Sequence, residues 1–122
     1  MKIRIKGNSV RMRLNKSEVA RLTTTGYVEE HTAFGEAKFT YALRSVMDGD
    51  ALTASFEKNQ ITMFVPQTLI RDWSTNDVVG FSATMPLNEH ESLALLLEKD
   101  FQCLDKIEED HYDKYENPNK HC

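Results

Sequence analysis

The chain predicts an α+β fold: seven to eight mainly antiparallel strands in a curved or barrel-like sheet, with two short helices. Three observations predict it. Apolar and polar residues alternate with a period of two over most of the chain, as in Lys2–Lys6, Val10–Leu14 and Phe39, Tyr41, Leu43. Helical spacing appears in two short windows, after Asn15 and after Pro66. Neighbouring alternating runs are joined by turns too short to hold a crossover helix, which favours antiparallel pairing.

The opening residues predict a hairpin: Lys2–Lys6 as a strand, Gly7-Asn8-Ser9 as a turn, Val10–Leu14 as the return. Asn15 and Glu18 have the spacing of a capping box, so a helix is expected from Lys16, stopped by Gly26. Strands follow at Tyr27–Phe34, Lys38–Val46, Leu52–Phe56 and Gln60–Val65, with turns at Gly35-Glu36 and Glu57-Lys58-Asn59. Pro66 opens a second helix carrying Leu69, Ile70 and Trp73. Val78–Met85 is strand-like, with Gly80 as a bulge signal. Ser92–Cys103 is the most apolar strand, expected to be central and covered on both faces. Residues 1–104 form one globular domain in this reading, and 105–122 an acidic, polar tail. No internal repeat is visible.

A chain of 122 residues with 40% hydrophobic content can build its own core. No window has the length of a membrane span, and no signal-peptide core follows the basic N-terminus. Two cysteines are too few for a disulfide scaffold. A cytoplasmic protein with reduced thiols and no membrane contact is therefore expected. The net charge of −4 is unevenly spread. Residues 1–22 carry seven Lys/Arg against one acid, and the remaining hundred carry eight against eighteen. This acidity speaks against a dedicated nucleic-acid domain, which is usually basic throughout.

The basic stretch supplies the first candidate site. Lys2, Arg4, Lys6, Arg11 and Arg13 should share one hairpin face, and like charges opposite each other across a ladder are destabilising. Such a face needs anions, either the chain's own or bound ones. Glu98 and Asp100, on one face of the apolar strand, are internal candidates, as are Glu29 and Glu30. The alternative is an anion site where arginines fork onto phosphate oxygens. With Arg4, Arg11 and Arg13 holding phosphate, Glu98 and Asp100 could hold a divalent metal, a hard cation that takes oxygen ligands. A second group of metal-capable residues is Cys103, Asp110, His111, Asp113, His121 and Cys122, whose separations match no compact zinc motif. No glycine-rich phosphate loop is present, and neither His31 nor His90 has a serine or cysteine beside it in a recognisable arrangement.

The segments MKIRIKGNSVRMRLNKSEV, KFTYAL and LLLEKDFQCLD resemble a small bacterial family of uncharacterised proteins, and the similarity covers nearly the whole chain. That resemblance implies no chemistry. Over the first twenty residues only, Lys6-Gly7-Asn8-Ser9, Arg11, Arg13 and Lys16 are similar to swapped-hairpin antitoxins and transition-state regulators. This second resemblance implies a hairpin that docks on DNA as a dimer.

The leading expectation is a non-enzymatic binding protein, with no cofactor, whose basic hairpin contacts an anionic ligand or protein partner, as a monomer or homodimer. The rivals are a metal-dependent phosphate-ester hydrolase with its site inside the curved sheet, and an antitoxin-like DNA-binding regulator.

Overall fold

The structure, a computed structural model, describes residues 1–101. Eight strands and two helices follow one another as β1 (Lys2–Ile5), β2 (Ser9–Leu14), α1 (Lys16–Thr25), β3 (Tyr27–Phe34), β4 (Ala37–Val46), β5 (Thr53–Glu57), β6 (Gln60–Pro66), α2 (Gln67–Ile70), β7 (Gly80–Pro86) and β8 (Ser92–Lys99). The expectation of one curved or barrel-like sheet is corrected. There are two four-stranded sheets, in the orders β1-β2-β8-β7 and β3-β4-β6-β5, and neither closes into a barrel. The cause is α1. It carries the chain away from the first hairpin and packs against β2, β3 and β4, so the second hairpin starts a separate layer.

The opening forms as its residues dictate. β1 and β2 pair antiparallel with Lys2 opposite Arg13 and Arg4 opposite Arg11. The Asn15 side chain accepts from the Glu18 N–H, and the Glu18 carboxylate accepts from the Asn15 N–H, closing the capping box. Gly26 ends α1 at φ 80°, a left-handed conformation only glycine adopts without strain, and its N–H bonds back to the Leu22 carbonyl. The second helix is a single turn, Gln67–Ile70. Trp73 falls just beyond it, fully buried, with its indole N–H on the Val78 carbonyl at 2.8 Å and its ring 5.1 Å from Phe81.

Each sheet also contains a parallel pair that the sequence reading did not foresee: β2 with β8, and β4 with β6. These pairs reveal a repeat. Residues 1–46 and 53–99 are both hairpin, helix, hairpin, and each sheet joins a hairpin of one half to a hairpin of the other. The registers correspond. Ile3–Met12 on β1–β2 matches Ala54–Met63 on β5–β6, and Val28–Leu43 matches Phe81–Leu97. The central contacts match too, Met12 beside Leu97 and Met63 beside Leu43. All four of these central residues are fully buried between the sheets, with Leu14, Leu22, Val65 and Trp73. The absence of a visible repeat in the sequence is thus overturned at the level of pairing.

β8 is central, as expected, but it is not covered on both faces. Leu95 and Leu97 are buried inside, whereas Ala94 is exposed and Leu96 half-buried on the outer side. The strand ends at Lys99, short of the expected Cys103, which lies outside the described residues with the tail 105–122. Among the described residues no helix is long and apolar enough to cross a membrane.

Candidate functional site

Val10, Met12 and Leu14 point inward from β2, so period-two geometry turns Arg11 and Arg13 outward, with Lys2, Arg4 and Lys6 beside them. All five cations therefore lie on the outer face of the β1-β2-β8-β7 sheet. Side chains cross that face in rows: Lys2, Arg13, Glu98, Gly80, then Arg4, Arg11, Leu96, Ser82, then Ser9, Ala94, Thr84. The space between the sheets is filled with apolar side chains, and the cations project away from it.

Three of the five cations meet acids of the chain. Glu98 Oε1 lies 3.5 Å from Arg13 Nε and 3.8 Å from Arg11 Nη1. Lys2 Nζ is 2.9 Å from Asp100 Oδ2, and the Asp100 N–H donates to the Leu14 carbonyl at 2.8 Å. Among the described residues Arg4 and Lys6 have no such partner. The Arg11 guanidinium is held below its usual pKa, first by burial and then by the charge of Arg13, with Arg4 adding and Glu98 opposing.

Beside these cations the sheet is hollowed. A depression of about 460 Å³ is lined by Arg4, Lys6, Ser9 and Arg11 on one side and by Ser82, Thr84, Ala94 and Leu96 on the other. The second sheet explains the hollow. In the matching hairpin register Tyr27, Glu29 and His31 of β3 correspond to Gly80, Ser82 and Thr84 of β7. Small side chains on β7 leave open what bulky ones cover on β3.

The sequence found the cations and missed the opposite wall. Its signal was present in Gly80, Ser82 and Thr84, small residues at every second position. The candidate metal pair, Glu98 and Asp100, is instead engaged with Arg11, Arg13 and Lys2. Among the described residues no group of three or more His, Cys, Asp or Glu is placed to hold a metal ion. Cys103, Asp110, His111, Asp113, His121 and Cys122 lie outside the described residues. His31 is on the other sheet, opposite Thr40, and His90 is in the exposed β7–β8 loop.

No curated protein and no solved structure matches the chain. A family model does, over residues 1–119, and the chain belongs to that family, DUF7009, a family of unknown function.

Proposed function

We propose that the protein is a non-enzymatic binding protein that holds a phosphate-type anion on the outer face of the β1-β2-β8-β7 sheet, through Arg4, Lys6 and Arg11. One observation carries this reading: the fold contains its own control. The β5–β6 hairpin has the register of β1–β2, yet the positions matching Lys2, Arg4, Arg11 and Arg13 are Thr53, Ser55, Thr62 and Phe64. Lys6 is matched by Glu57. The same architecture thus stands without these cations, and setting Arg4 against Arg11 costs stability. Cations that the hairpin does not need, beside a hollow, serve a ligand. The binding reading is favoured over the hydrolase because the acids that would hold a metal, Glu98 and Asp100, pair with Arg11, Arg13 and Lys2 instead.

A second reading, with DNA as the anion, has one observation in its favour. The halves of this chain exchange hairpins, the arrangement for which the swapped-hairpin regulators are named. Both readings are tested by thermal unfolding with inorganic tripolyphosphate or short duplex DNA at rising salt. Stabilisation by tripolyphosphate that fades with salt is expected. Stabilisation by duplex DNA alone would transfer the site to nucleic acid, and none by either anion would end both readings.

A further inference from the structure

The depression is two-sided, and its two sides ask for different chemistry. Along the central row, Arg4 and Arg11 stand on β1 and β2, Leu96 on β8 and Ser82 on β7. In the next row Ala94 separates Ser9 from Thr84. A ligand lying across the strands passes from guanidinium to aliphatic floor to hydroxyl. Two strand spacings, roughly 10 Å, separate Arg11 from Ser82. A bare phosphate reaches only the first part. Leu96, half-buried, and Ala94 give the depression an apolar floor between the cations and the hydroxyls, a part that an inorganic anion on the cations does not reach.

We propose that the depression takes a small phosphate monoester with a planar, uncharged organic body, a nucleoside monophosphate being the simplest example. The phosphate sits on Arg4, Lys6 and Arg11, the two planar guanidinium forks matching its oxygens and the lysine ammonium adding a point charge. The ring lies on Leu96 and Ala94, and its polar edge meets the hydroxyls of Ser82 and Thr84. The volume, about 460 Å³, falls in the range of small-ligand sites. This rests on the anion reading above and adds the identity of the ligand's other end.

Calorimetric titration with inorganic phosphate, adenosine monophosphate and adenosine tests it, on the wild type and on Ser82→Gln/Thr84→Gln. These positions are exposed, and the matching ones on β3 carry larger side chains, so the variant should fold. Thr84→Gln alone serves if the double variant does not. Adenosine monophosphate should bind at least about tenfold tighter than phosphate, and the glutamine variants should lose that advantage while keeping phosphate affinity. Equal affinity for the two, or a nucleotide advantage that survives the glutamines, overturns the proposal and leaves the anion reading standing. Binding of neither phosphate nor nucleotide would remove the anion reading itself.

Discussion

Glu98 lies directly against Gly80: a Cβ added to Gly80 would stand 3.0 Å from Glu98 Cγ. The same Cβ would clash with the Leu97 carbonyl oxygen. In the other sheet the matching pair is Arg44 and Tyr27, with the guanidinium 4.6 Å from the ring centroid. Without a side chain at position 80, the glutamate has room beside β7 and still reaches Arg11 and Arg13. Gly80→Ala should therefore destabilise the protein by about 1–3 kcal/mol, because strand backbone has to move. Denaturant unfolding checks this, and an unchanged midpoint would mean that β7 has slack the geometry does not show.

Glu98 also competes with any anion for Arg11 and Arg13. Both contacts are long and partly solvated, so the loss of stability in Glu98→Gln should stay within about 1 kcal/mol. Affinity for tripolyphosphate should rise a few-fold. A fall in affinity would indicate that the glutamate orients the arginines for the ligand rather than occupying them.

The Met1 amine is buried against Glu18, whose other oxygen caps α1, and Glu30 lies 3.4 Å from the same amine. Glu18→Gln should cost about 2–3 kcal/mol, from the loss of the buried ion pair, since glutamine can still accept from the Asn15 N–H. Glu30, with a side chain 47% exposed, should lose less than about 1 kcal/mol on the same change. Equal losses in thermal unfolding would count against the distinction.

Tyr41 donates to the Met1 carbonyl, and its pKa is raised, first by burial, then by Glu30 and Glu18. A raised pKa in the folded state means that the neutral phenol is favoured there. Its stabilisation is complete below the unfolded value, near 10 for tyrosine, and is lost as pH climbs through the folded value. Stability should therefore decline as pH rises from about 10 towards the folded value, and Tyr41→Phe should weaken the decline. Ultraviolet titration of tyrosinate should show a late-titrating phenol missing in the variant.

The first hairpin and α1 were legible in the sequence because local chemistry sets them. Alternation sorted Arg11 and Arg13 from Val10 and Met12, and Asn15, Glu18 and Gly26 bounded the helix. The parallel pairs were not legible. Met12 meets Leu97 across most of the chain, and no turn residue specifies such a partner. The repeat was hidden because its halves keep the core positions while the residues facing outward differ. Met12 and Met63 keep the core position, whereas the outward neighbours Arg11 and Thr62 have diverged. The hollow beside the cations needed β7 next to β8, and that neighbourhood exists only once the sheets have formed.

The central claim is that the cations of β1 and β2 serve a ligand and not the fold. Arg4→Ser/Arg11→Thr tests it most directly, since it installs the residues that the sister hairpin carries at those positions. Tripolyphosphate affinity and unfolding free energy should be measured on the same preparation. We expect stability unchanged or raised by up to about 1 kcal/mol, with affinity reduced at least about tenfold. Undiminished affinity, or a loss of several kcal/mol in stability, would contradict it.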